Sequence, residues 1–210
     1  MHRSTMLRID ESSKTLVAPE STEFVPDAPP ARDELHALIT AGWDAFAAEI
    51  GQSHLKAVGA GPGGAQSGID LLAMDVETGR VTVVIVDDGA CKDALGRAMT
   101  AAATVSSWDA DKLGAMHELL HGATPGDSPS MLIVGASFDE EDACLADWLT
   151  RKHAMDVSAY AIEVMRRGEE RMLAVEPAYP AAPPPPMIIA SVDASNSAPP
   201  APPVPSPQAA

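Results

Sequence analysis

Cysteine is scarce in this chain: Cys91 and Cys144 are the only two among 210 residues. A disulfide framework is therefore excluded as the main source of stability. Both cysteines fall among small or apolar residues in segments predicted as helices, so reduced, structural thiols are expected, with one Cys91–Cys144 bridge as the alternative. Positive charge is scarce too, with 14 Lys plus Arg against 30 Asp plus Glu and a formal net charge of −16. Attraction to phosphate dominates non-specific nucleic-acid binding, and this balance opposes it. No local basic patch stands out in the sequence. A protein partner is accordingly favoured over a nucleic acid. No run approaches the roughly 18 apolar residues that span a bilayer, so no membrane partner is expected. The opening MHRSTMLRIDESS lacks the apolar core of a secretory signal, and a cytoplasmic location is the expectation. Because the strand pattern begins at Met6, the start codon is read as either Met1 or Met6.

What the chain does have is a dense apolar centre. Hydrophobic residues make up 46% of the chain, enough for one domain with a real core plus tails. Two apolar runs, Ile69–Met74 and Val81–Val86, flank the polar Asp75-Val-Glu-Thr-Gly79, which predicts a hairpin with Gly79 absorbing the turn. Val81-Thr-Val-Val-Ile-Val86 is apolar at both alternating sets of positions, as in a strand covered on both faces. Asp70 sits in the first run, and Asp87-Asp88 closes the second. Any chemistry is expected where these carboxylates collect.

Three segments follow from composition: residues 1–31 as an N-terminal strand and loop, 32–176 as an α/β domain, and 177–210 as a proline-rich tail. Strand candidates open at Met6–Ile9 and Leu16-Val17. From Asp33 the spacing of Leu35, Leu38, Ile39, Trp43, Phe46 and Ile50 predicts one helix, with Asp33 as its cap and Gly51 at its end. Trp43 and Phe46 are read as core. Leu55–Gly59 is a strand candidate, and the glycine-rich 59–64 that follows lacks the Lys-Ser/Thr of a phosphate loop. Cys91–Val105 is predicted as a helix with Leu95, Ala98, Met99, Ala102 and Val105 inward, and Asp109–His121 as another with Leu113, Met116 and Leu120 inward. Met131–Val134 is a buried strand. A helix capped by Asp139 runs to His153 with Leu145, Trp148 and Leu149 inward. Val157–Met165 and Arg171–Val175 form a closing hairpin around Arg167-Gly168. From position 177 onward there are 12 prolines and one charged side chain, Asp193, a composition expected to be disordered. Pro180-Ala-Ala-Pro183 and Pro202-Pro-Val-Pro205 have the spacing of polyproline II ligands.

His117-Glu-Leu-Leu-His121 matches HExxH. On one helix, histidines four apart share a face and can chelate Zn²⁺ with Glu118 as general base. Glu140, Glu141 and His153 are the candidates for a third ligand. The plainer reading is a helix end carrying two solvent-side histidines, because the motif sits just before Gly122.

The order helix, strand, strand, strand, helix, strand over residues 33–135 resembles the αβββαβ core of the PD-(D/E)xK, or restriction-endonuclease-like, superfamily. Gly-Ile-Asp70-Leu-Leu-Ala-Met-Asp followed by Gly79-Arg-Val-Thr-Val-Val-Ile-Val-Asp87 resembles the segment in which members carry "IDLLxxD", a turn and "GxxxxxExK". The likeness extends more loosely from residue 6 to 176, through Asp93-Ala-Leu-Gly-Arg97 and Trp148-Leu-Thr-Arg-Lys152. It implies a mixed sheet flanked by helices. In such a site an aspartate and a second acid hold Mg²⁺ against the scissile phosphate, and a lysine two residues beyond the second acid positions water. Here the resemblance puts Asp70 in the first position, Ile85 in that of the second acid and Asp87 in that of the lysine. Arg97 and Ala101 stand where many relatives have Gln-x-x-x-Tyr. Two of three catalytic positions are broken, which implies a degenerate member with no confident catalytic residue and no cofactor, acting as a binding or scaffold module. The alternative is a rearranged metal-dependent nuclease in which Asp70 and Asp87 share Mg²⁺ and Arg97 replaces the missing cation.

Overall fold

A computed structural model describes residues 5–10, 14–17, 25–59, 68–88, 92–123, 128–167 and 170–180. The expectations for the 59–64 loop beyond Gly59, for Cys91 and for the tail after Pro180 lie outside these residues. Val81–Val86 (β6) forms the spine, and all six of its residues are buried. It pairs antiparallel with Leu71–Asp75 (β5) and parallel with Ser130–Gly135 (β7). Leu55–Gly59 (β4) continues the antiparallel side, and Val157–Arg167 (β8) runs parallel to β7. Glu170–Tyr179 (β9), Thr5–Asp10 (β1) and Thr15–Val17 (β2) extend the sheet antiparallel. Val25–Asp27 (β3) lies along the far part of β8. Among the described residues this is one mixed sheet of order β2-β1-β9-β8-β7-β6-β5-β4, flanked by helices.

Strand alternation divides the core. Val83 and Ile85 of β6, with Met131 and Ile133 of β7, face a layer built on Lys92–Ser106 (α3), Ala110–Met116 (α4) and Glu140–His153 (α5). Val84, Val86, Leu132 and Val134 face Arg32–Ala41 (α1) and Trp43–Glu49 (α2), where Leu35, Ile39, Trp43 and Phe46 are buried. Each such side chain contributes about 1.5–3 kcal/mol when fully buried, which is why the apolar runs dictate the strand positions.

Several local expectations need correction. The helix foreseen from Asp33 to Ile50 is two helices meeting at Gly42. Gly42 lies against β2, and a Cβ there would stand 2.7 Å from the backbone nitrogen of Leu16, so the chain needs glycine at this crossing. Asp33 is not the cap. That position is Ala31, which makes no side-chain capping bond, and Asp33 sits in the first turn, where its charge complements the helix dipole. Met99, Leu145 and Trp148 are not inward but exposed. In contrast, Asp139 does cap α5, in a reciprocal capping box with Asp142. β9 continues through Pro177 to Tyr179, past the compositional break. Its pairing with β1 ends at Val175, and β8 shifts register at Ala159/Tyr160, so the missing proline N–H removes little from the ladder. The short β3, with Pro26 inside it, is a strand in the segment expected as loop.

At the β5–β6 turn Gly79 has φ +74°, the left-handed conformation the hairpin needs. Asp75 organises this turn by accepting hydrogen bonds from the Glu77 and Thr78 N–H groups (2.8 and 3.1 Å) and from the Thr78 hydroxyl (2.7 Å). Burial pushes its carboxyl up, but these bonds and the nearby His54 outweigh that and hold it below the ordinary value. A lowered folded-state pKa contributes stability that is complete at neutral pH and lost as the pH falls through the acid range. Thr78→Val should therefore flatten the acid arm of a stability-versus-pH curve measured by urea unfolding. Gly42→Val should cost about 1–3 kcal/mol through overpacking against Leu16, read as a lower urea midpoint at unchanged m.

Candidate functional site

The carboxylates do collect, at the carboxyl end of β6, where parallel strands of α/β sheets commonly place their sites. Asp70 lies not within β5 but one residue before it, where the β5–β6 ladder has already ended at the Leu71–Val84 pair. Its side chain continues the pairing that its backbone does not: Oδ2 accepts the Val86 N–H at 2.8 Å. The same oxygen accepts from Arg97 of α3 at 2.7 Å, and Oδ1 accepts from Arg32 at the start of α1. Helices from opposite faces of the sheet thus meet on one carboxylate whose side chain is only 6% exposed.

The surrounding contacts tie the same elements together. Arg97 donates its other terminal nitrogen to Asp87 at 2.8 Å, so one guanidinium spans Asp70 and Asp87. Arg32 donates its Nε to the Val86 carbonyl at 3.1 Å, and its backbone N–H is accepted by Asp88 at 3.1 Å. Asp88 thereby supplies α1 with the capping oxygen that Ala31 lacks. His36, one turn beyond Arg32, donates from Nε2 to the Asp70 carbonyl at 2.9 Å. Ile85 is fully buried in the α3-side core with Ala94, Leu95 and Ala98.

This donor set does not fit Mg²⁺. Both oxygens of Asp70 are engaged by guanidinium groups, position 85 offers no oxygen, and Asp87 is bound to Arg97. Arginine stays protonated in proteins, so Arg97 keeps positive charge where a cation would sit between the acids, and neither arginine can serve as a base. Among the described residues no group of three or more His, Cys, Asp and Glu is arranged to hold a metal ion. The arrangement is chemically an ion-pair staple: charge-assisted hydrogen bonds worth about 1.5–3 kcal/mol each, which offset the cost of burying Asp70.

The HExxH residues are not on one helix. α4 ends at Met116, His117 is extended (φ −160°, ψ 146°), and a 3₁₀ turn covers Glu118–Gly122. The His117 Nδ1 accepts the Leu119 N–H at 3.1 Å, capping that turn. His121 packs over Gly114, where a Cβ would stand 2.6 Å from its ring. Glu140 and Glu141 occupy the first turn of α5 and His153 its last, stacked edge-on to Trp148 at 4.2 Å. The expected shared helical face is absent.

Reading the sequence alone missed Arg32 and His36, although their four-residue spacing at a helix start does place them on one face. Comparison with protein-family models, with curated proteins and with solved structures found no match.

Asp70 is the shared acceptor of the Val86 N–H, Arg32 and Arg97, so Asp70→Ala should cost about 1.5–3 kcal/mol or more in urea unfolding. Asp87 and Arg97 are more exposed, and Asp87→Ala should cost about 1 kcal/mol or less. An equal or reversed ranking would contradict the central place given to Asp70.

Proposed function

We propose that this chain is a catalytically degenerate PD-(D/E)xK-like domain that acts as a non-catalytic binding or scaffold module in the cytoplasm. The observation that carries the reading is the double arginine clamp on Asp70. With α2 added after α1, and α4 and a 3₁₀ turn added after α3, the element order from α1 through β4, β5, β6 and α3 to β7 is compatible with an αβββαβ core. Asp70 and Asp87 are both bound by Arg97, which occupies the ground between them, and the position of the second acid is held by Ile85, buried in the core. A site built this way holds the sheet end and two helices rigid instead of polarising a phosphodiester.

A protein partner suits the chain better than a nucleic acid. The net charge of −16 repels phosphate, and the two cations at the sheet end are engaged by the chain's own carboxylates. Among the described residues no helix is long and apolar enough to cross a membrane.

The test is cleavage. Incubated with plasmid DNA, single-stranded DNA or RNA and either Mg²⁺ or Mn²⁺, the purified chain should leave all substrates intact, and Asp70→Asn should behave identically. Cleavage by the natural sequence that Asp70→Asn abolishes would show instead that Arg97 yields to a metal and that the domain is a rearranged nuclease.

A further inference from the structure

Two large apolar side chains of α5 face solvent, Leu145 at 43% exposure and Trp148 at 50%. Standing three residues apart, they are neighbours on one helical face. His153 packs against the tryptophan ring in a T-shaped contact with centroids 4.2 Å apart, and half of the Trp148 surface still faces solvent beside Leu145. The other two tryptophans, Trp43 and Trp108, are 4% and 5% exposed. An exposed Trp next to a Leu is the kind of surface on which proline-rich segments dock, because a polyproline II strand has no internal hydrogen bonds to give up and little entropy to lose.

The point where the chain leaves the sheet selects the occupant. Ala178 and Tyr179, at the end of β9, line a small apolar cleft together with Phe138, Asp142, Ala143 and Ala146. The chain thus departs next to the first turns of α5. From Asp142 to Trp148 is about 9 Å along the helix axis. Residues 181–210 remain, beginning Ala-Ala, then four consecutive prolines at 183–186, then Met187-Ile-Ile189, with Asp193 as the only charge. Six residues in polyproline II geometry reach about 19 Å, about twice that axial rise. Tethering at this point gives the segment an effective concentration of roughly millimolar, so weak contacts suffice.

We infer that residues 183–189 of this chain dock in cis on the Leu145–Trp148 face of α5. The segment covers an apolar patch that would otherwise stand open, and any external partner of that face has to displace it. This inference is independent of the reading of the Asp70 site.

Because Trp43 and Trp108 are buried, collisional quenching by acrylamide reports mainly on Trp148. In the full-length chain, replacing Pro183–Pro186 with serine should raise the quenching constant about twofold, since the docked segment no longer shields the half-exposed ring. The effect should be the same at every protein concentration and should vanish in a Trp148→Phe background. Unchanged quenching in the serine variant would overturn the proposal. Shielding that grows with concentration would overturn it too, because the occupant would then be the tail of a second copy.

Discussion

One carboxylate holds together parts of the molecule that the backbone ladder leaves apart. The β5–β6 pairing stops at Leu71, and beyond it the Asp70 side chain accepts the Val86 N–H that a longer strand would have satisfied. Arg32 reaches this group from α1 on one face of the sheet and Arg97 from α3 on the other. Buried charge is expensive unless it is paired and fully hydrogen-bonded, and here each oxygen is engaged by a permanent cation. The geometry that satisfies Asp70 therefore also fixes where α1 begins, where α3 lies and how β6 ends. Asp88 capping α1 and Asp87 anchoring Arg97 follow from the same arrangement.

The functional reading depends on which group neutralises these acids. Two carboxylates close together need positive charge between them, and either a metal ion or a guanidinium can supply it. A metal does so while leaving open coordination positions for substrate and water. A guanidinium does so with its donors committed and no acid–base chemistry available. With Arg97 spanning Asp70 and Asp87 and Ile85 sunk into the core, the sheet end is suited to rigidity.

Much of the fold could be read from the residues because the signals were local. Val81–Val86 declares itself by its β-branched run, the Asp75–Gly79 turn by its spacing, and the start of α5 by Asp139 and the acids after it. Asp70, Asp87 and Arg97 were foreseen as neighbours, but only through a family likeness and not from spacing. What escaped were long-range effects. α1 and α2 part at Gly42, which lies close against Leu16, and α4 ends at Met116, two residues past the Gly114 on which His121 packs. Leu145 and Trp148 match the apolar pattern of α5 yet point outward, since periodicity cannot tell which side of a wide apolar stripe meets the sheet. Arg32 was overlooked because its partner lies 38 positions away.

The most direct measurement is an anomalous difference map from crystals grown in Mn²⁺. The account predicts Arg32 and Arg97 both on the Asp70 carboxylate and no anomalous peak between Asp70 and Asp87. A manganese peak bridging those two acids, with the Arg97 side chain swung away, would contradict it.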